Sequence, residues 1–486
     1  MDFVQDNDIL QVLRGFNPWW RDDSYTCRHK FKRIAFHETY QWFSNPKFTR
    51  AIVVSGARRV GKTVILQQIA ERLLKDQWSV KEILYLSLDH PILKLAGIDR
   101  VLDVYHQNVL PNPKRIALLL DEVQYSKDWG TWIKHKVDFQ PHIRIIATGS
   151  AALDIQEKGA ESGTGRWITI KVPTLSFYEY LHLINAPVPS LPSDLKVLNL
   201  VKMEVTERAN ILNDVLPVKD YFHNYLMLGG FPELVGMDKI SDVQRLLRED
   251  VVDKVLKRDM TASFGVRSVL ELEQLFIYLC LHSGGIIEKN TIASQLEKSS
   301  ETVERFLGHL ESANLIYRLY PYKQTGKLVL KGRPKVHISD VALRNAVLLK
   351  NEETLTSPEE LGLSVESAVY KHFHTLYYRQ QPRLGYWRDQ GRARKEVDLV
   401  VDVDEWTIPV EVKYKEDVRI DKKDGLWLFM EADNSVKVGI LVSKNEADFR
   451  VHPGPDGNSQ VLVIPAFLLL YLLGHSERSL VSRLQT

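Results

Sequence analysis

Ala51-Ile52-Val53-Val54-Ser55-Gly56-Ala57-Arg58-Arg59-Val60-Gly61-Lys62-Thr63 decides how this chain folds. Four apolar residues run into a glycine-bounded loop, and from Lys62 onward Ile65, Leu66, Ile69, Ala70, Leu73 and Leu74 recur at helical spacing. Strand, loop and helix in that order are the context in which G-x-x-x-x-G-K-[ST] binds phosphate. Gly56 and Gly61 let the backbone bend, so the N–H groups of the loop through Ala57, Arg58, Arg59 and Val60 point inward. The helix N-terminus adds about half a positive charge at the same place. Lys62 is expected to bridge the β and γ phosphates and Thr63 to give its hydroxyl to Mg²⁺, which makes ATP and Mg²⁺ the expected cofactors.

Reading outward, short apolar runs recur at Ile83–Leu88, Ile116–Leu120, Ile143–Ala147 and Ile168–Val172, separated by helix-length segments. Buried runs alternating with helices imply an α/β fold with a parallel sheet covered on both faces. The run Ile116–Leu120 ends in Asp121-Glu122. At the carboxyl end of a strand after a P-loop, Asp121 is expected to hold Mg²⁺ through water and Glu122 to polarise the water attacking the γ-phosphate. The next strand ends in Thr148-Gly149-Ser150, which makes Ser150 a candidate sensor of that water. Gly163-Thr164-Gly165-Arg166 offers an arginine on a glycine loop, a candidate finger for a neighbouring subunit's nucleotide, with Arg258 as a second candidate.

Beyond the sheet, Pro187–Pro192 reads as an extended loop inside a mostly helical region. Leu270–Leu281, Lys289–Leu296 and Ser300–Ala313 read as three helices leading into the apolar run Leu315–Leu319. That is the order of a winged helix-turn-helix with Thr302–Leu310 as the recognition helix. Further on, Glu396–Val401 and Ile408–Lys413 read as a hairpin, and Glu411 and Lys413 share one strand face. With Asp398 on the first strand and Glu366 on a helix over Ser364–Tyr377, the pattern is the D-x(n)-E-x-K constellation of PD-(D/E)XK nucleases. Asp398 and Glu411 would bind Mg²⁺, Lys413 would orient the attacking water, and Glu366 would supply an outer ligand. Arg388, Arg392, Arg394 and Lys395, just after Tyr386 and Trp387, would suit backbone phosphates and a stacked base.

Composition narrows the classes. At 486 residues the chain is long enough for about three domains. With 44% hydrophobic residues and 26% charged, it is globular rather than disordered. A net charge of +2 gives no global attraction for nucleic acid or an acidic membrane, so any such partner must meet a local patch. Two cysteines, Cys27 and Cys280, fit a reducing cytoplasm and neither a disulfide framework nor a zinc site. Asp2, Asp6 and Asp8 stand where a secretory signal would carry basic residues. The longest apolar stretch, Val461–Gly474, contains Pro465 and is shorter than the about 20 residues a membrane helix needs, so no membrane partner is expected.

The chain resembles the bacterial and archaeal AAA-type ATPases that carry a C-terminal domain of unknown function with restriction-endonuclease-like residues. The resemblance rests on Asn17-Pro18-Trp19-Trp20, Ser55–Thr63, Leu120–Gln124, Thr148-Gly149-Ser150, Gly165-Arg166, Leu175–Tyr180, Gly229–Glu233 and the C-terminal motifs. It implies an additional-strand, AAA-type P-loop core at 49–180 after an N-terminal segment 1–48. A helical lid at 181–265, a winged helix at 266–325 and a PD-(D/E)XK nuclease-like α/β domain at 326–486 would follow. Two functions then stand open. One is an oligomeric ATPase, such as a homohexameric ring, that acts on DNA as a motor on branched or broken duplex, with or without metal-dependent cleavage. The other is a signalling or scaffold ATPase whose nuclease-like domain is catalytically inactive.

Overall fold

A computed structural model describes residues 4–149, 165–237, 239–260, 268–322, 332–389 and 395–483. The chain separates into two compact units, Met1–Pro173 together with the residues from Val481, and Thr174–Leu480.

In the first unit, β1 (Ala51–Gly56), β2 (Ile83–Ser87), β3 (Ile116–Asp121), β4 (Ile143–Gly149) and β5 (Trp167–Val172) form one sheet in the order β2-β3-β4-β1-β5. Every pairing is parallel. β1 and β3 are buried at all six of their positions, which is why they read as unbroken apolar runs rather than alternating ones. β4 lies between the P-loop strand and the acidic strand, so its carboxyl end meets both. The helix Lys62–Lys75 packs Ile65, Leu66, Ile69, Ala70 and Leu73 inward, each large apolar side chain contributing on the order of 1.5–3 kcal/mol by burial.

The Asn17-Pro18-Trp19-Trp20 motif covers the open edge of the sheet. Asn17 exchanges hydrogen bonds with the backbone of Tyr85, its Oδ1 accepting from the Tyr85 N–H at 2.7 Å and its Nδ2 donating to the Tyr85 carbonyl at 3.0 Å. Both indoles donate to the Ile83 carbonyl at 3.0 Å. An amide side chain and two indole N–H groups thus satisfy the edge of β2 as a further strand would. Trp19 is a packing residue, buried away from solvent.

In the second unit, three helices (Val269–Leu281, Lys289–Gln295, Ser300–Ser312) are accompanied by β6 (Gly285–Ile286), β7 (Ile316–Pro321) and β8 (Lys335–Ile338). β8 pairs antiparallel with both β6 and β7. The sheet does not stop there. β7 continues in parallel with β9 (Arg383–Arg388) through Tyr320 opposite Gly385, so the strands on either side of residue 326 belong to one sheet. β10 (Glu396–Val403) and β11 (Trp406–Val412) form the expected hairpin, followed by β12 (Val438–Ser443), β14 (Gln460–Pro465) and β13 (Arg450–Pro453). The apolar stretch near the end divides at Pro465 into β14 and the buried start of the helix Ala466–Arg483. Among the described residues no helix is long and apolar enough to cross a membrane.

Two motifs far apart in sequence meet in this unit. The Leu175 N–H donates to the Gly230 carbonyl at 2.6 Å, and the Leu175 carbonyl accepts from Tyr225 at 2.9 Å and from Lys371 at 3.0 Å. Lys371 also pairs with Asp340 at 3.0 Å, and both are nearly inaccessible to water. Asp340 in turn accepts from the backbone N–H groups of Gly230 and Ala342. His372 is held as one neutral tautomer, Nδ1 donating to the Ala368 carbonyl and Nε2 accepting from the Phe177 N–H. Burial pulls its pKa down to about 3. Leu175–Tyr180 and Gly229–Glu233 therefore pin this unit together.

Candidate nucleotide site and C-terminal carboxylate cluster

The P-loop backbone needs its glycines. A Cβ on Gly56 would meet the Val172 carbonyl oxygen at 2.3 Å, and Gly61 has φ +95°, where a side chain is strained. Lys62 reaches back over the loop, its Nζ donating to the carbonyls of Gly56 at 3.1 Å and Ala57 at 2.9 Å. Arg58 donates to the Tyr125 hydroxyl at 3.1 Å. Arg33, buried on a preceding helix's approach, donates to the Val60 carbonyl at 2.9 Å and to the Pro173 carbonyl at 2.7 Å, fixing the loop from below.

Asp121 lies at the end of β3, 3% exposed. Thr63 donates to its Oδ2 at 2.7 Å and Tyr85 to the same oxygen at 2.8 Å, while Thr148 donates to Oδ1. Burial, and then the neighbouring Glu122, push its pKa up. The hydroxyls of Thr148, Thr63 and Tyr85 oppose that. A buried carboxylate held by hydroxyls gains strongly from a hard cation, and Thr63 and Asp121 would be the groups that hold Mg²⁺ beside a nucleotide. When bound there, that ion would offset charge on the phosphate oxygens. Glu122 adopts left-handed backbone angles, φ 56° and ψ 50°, an uncommon conformation for a non-glycine residue. The twist takes its side chain out of line with β3. Its N–H donates to Thr148 Oγ1 at 3.2 Å, and its carboxylate accepts from Gln124.

Lys62, Thr63, Asp121 and Glu122 thus come together at the carboxyl ends of β1 and β3. Arg166 does not join them. Its Nε donates to Asp138 Oδ1 at 2.9 Å on a partly exposed surface. Ser150 lies outside the described residues, as does the side chain of Arg258. Thr148, Tyr85 and Arg33 were missed by sequence reasoning. For Thr148 the signal was present in Thr148-Gly149-Ser150, two residues before the one chosen. Tyr85 and Arg33 carried none.

In the second unit the other expected residues also converge, with an unexpected one among them. Lys335, at the start of β8 and 3% exposed, has Glu366 Oε1 at 3.3 Å and Asp398 Oδ1 at 3.4 Å, with Glu396 closest of all. Burial and Asp398 push Glu366 up, against the pull of Lys335. Asp398 Oδ2 accepts from the Val412 N–H at 2.8 Å, and Glu411 Oε2 from the Leu426 N–H at 2.9 Å. Lys413 is 3.4 Å from Glu411 Oε1 and in contact with Asp424. The donors differ from those of an open cation site, and among the described residues no group of three or more acidic, His or Cys side chains is placed to hold a metal. Of the basic segment, Arg388 is 3.7 Å from Glu396, and the Lys395 carbonyl accepts from the Asp389 N–H at 2.8 Å. Arg392 and Arg394 lie outside the described residues.

Residues 48–181 match the AAA domain family, and residues 219–354 and 361–467 match two domains of unknown function, DUF8612 and DUF4143. Curated relatives are themselves uncharacterized. One from Haemophilus influenzae is 24% identical over 371 residues, 75% of this chain and 82% of that protein. One from Methanocaldococcus jannaschii is 25% identical over 301 residues, 61% of this chain and 62% of that protein. Solved structures similar to the chain include AMPPCP-bound DnaA from Aquifex aeolicus, at 14% identity and TM-score 0.24, covering 58% of this chain and 88% of that one. Another is the S. cerevisiae Hsp104:casein complex, at 14% identity and TM-score 0.27, covering 55% and 48%. At those scores neither carries an argument about this chain. The segment that matches the AAA domain family, residues 48–181, is the one that carries the P-loop and the site built on β1 and β3.

Proposed function

We propose that the protein is a Mg²⁺-dependent ATP phosphohydrolase in which Glu122 activates water. The observation that carries this reading is the contact between Thr63 and the buried Asp121, which puts the helix after the P-loop and the end of β3 on one side of a single site. Lys62 supplies positive charge to the phosphates, the loop N–H groups orient them, and the left-handed turn at Glu122 aims a carboxylate away from β3. Phosphate release from ATP should require Mg²⁺ and stop with EDTA. No release at any Mg²⁺ concentration would reject the assignment.

Arg166 is proposed as a finger for a neighbouring subunit's nucleotide in a homo-oligomer. It would have to leave Asp138 first, and an exposed pair of that kind holds it by only about 0.2–1 kcal/mol. Arg166→Ala should then lower turnover far more than ATP affinity, while Asp138→Ala, which frees the arginine, should keep or raise turnover. Equal losses in both variants, or a monomer by light scattering at saturating ATP, would leave only a structural ion pair.

For what ATP drives, one observation favours a signalling or scaffold switch over an enzyme acting on DNA. The helix Ser300–Ser312, which contains the expected recognition helix Thr302–Leu310, carries Glu301, Glu304 and Glu311 against Arg305. The nearby cations Lys289, Lys298, Arg318 and Arg333 each contact a carboxylate. The carboxylates on the helix and in these contacts are matched by as many cations, so the face carries no net positive charge to draw phosphate. Linear, forked and four-way DNA should accordingly show no binding at low salt. Binding that weakens steeply as salt rises would restore the reading of a motor on branched or broken DNA.

A further inference from the structure

The carboxylate cluster of the second unit already contains a cation. The Lys335 ammonium is buried among Glu366, Glu396 and Asp398, and it places its charge 5.8 Å from the Tyr386 ring centre. Three carboxylates thus surround one buried ammonium and balance its charge. Four of the carboxylate oxygens a metal would draw on already face N–H donors or ammonium groups. Asp398 gives one to Lys335 and the other to the Val412 N–H, and Glu411 gives one to the Leu426 N–H and faces Lys413 with the other. Mg²⁺ takes its oxygens at about 2.0–2.1 Å around one point, which these divergent contacts do not offer. A dication placed among them would also meet the like charge of Lys335 at close range.

We propose that Lys335 is the permanent cation of this centre, a positioning residue that takes the place of a divalent metal and makes the Glu366-Glu396-Asp398 cluster metal-free. The ammonium is supplied by β8, while the carboxylates come from a helix and from β10. The cluster therefore joins three elements through one fixed charge rather than through an exchangeable ion. A centre built this way binds no Mg²⁺ and cuts no phosphodiester by metal catalysis.

The test is Mn²⁺ titration of the full chain without nucleotide, followed by loss of the free-ion electron paramagnetic resonance signal. The wild-type protein should bind no Mn²⁺ that is lost in Asp398→Asn. Lys335→Gln should gain at least ten-fold in Mn²⁺ affinity, and Asp398→Asn added to it should remove the gain. Wild-type Mn²⁺ binding that disappears in Asp398→Asn would overturn the proposal, as would a folded Lys335→Gln protein with no gain. If Lys335→Gln does not fold, the wild-type titration alone decides. Neither ATP nor DNA enters the measurement, so its failure is separate from failure of the ATPase reading.

Discussion

Lys62→Ala is expected to abolish ATP turnover, with kcat/KM falling on the order of 10²–10³-fold or more, because the only side-chain ammonium of the P-loop is removed from the phosphates. Nucleotide affinity should fall with it. Glu122→Gln makes the complementary case. It keeps the loop, Lys62 and the Asp121 contacts, and removes only the base, so ATP should still bind while turnover falls about 10²–10⁴-fold. Fluorescent-nucleotide binding and phosphate release, measured on both variants, separate the two effects. Wild-type turnover in Glu122→Gln would mean that another group handles the water.

How much of this site could be read before the fold was known follows from distance along the chain. Gly56 to Thr63 is a local pattern whose backbone consequence is local too, so strand, loop and helix were all legible. Asp121 and Glu122 were legible because an apolar strand ending in acid after a P-loop has few other meanings. Thr148 and Tyr85 reach Asp121 only because β4 and β2 lie on either side of β3, and strand order is not written in any single segment. The pairing of Arg166 with Asp138 depends in the same way on where two distant segments come to rest. The C-terminal cluster repeats the lesson. Alternation placed Asp398 and Glu411 on a hairpin, which β10 and β11 form, but Lys335 enters from β8, across β9 and β7 in the sheet. Nothing in its own segment pairs it with those carboxylates.

Asp340→Ala is expected to cost the second unit about 3–5 kcal/mol, since it leaves the Lys371 ammonium buried without its carboxylate. The N–H groups of Gly230 and Ala342 lose their acceptor in the same step, and each orphaned donor adds a cost of about 1–3 kcal/mol that overlaps with the first. Urea unfolding should show the transition of the second unit moving to lower denaturant with little change of slope. Asp340→Asn, which keeps an acceptor but not the charge, should lie between the two. A shift below about 1 kcal/mol in Asp340→Ala would mean that Lys371 is held by Thr174 and the Leu175 carbonyl alone.

The strand order of the first unit also sets a timetable. β1 is made well before both of its neighbours, β4 and β5: Ile52 waits for Ile146 and then for Ile168. At about 5–20 residues per second, the P-loop strand spends on the order of ten seconds outside the ribosome with both edges unpaired. The apolar run Ala51–Val54 is over that interval an open template for another chain, and crowding of nascent chains is the circumstance in which this protein is most exposed to aggregation. Holding that segment until β5 has been made is then a task for chaperones, and slowing translation after β1 would lengthen the hazard rather than relieve it.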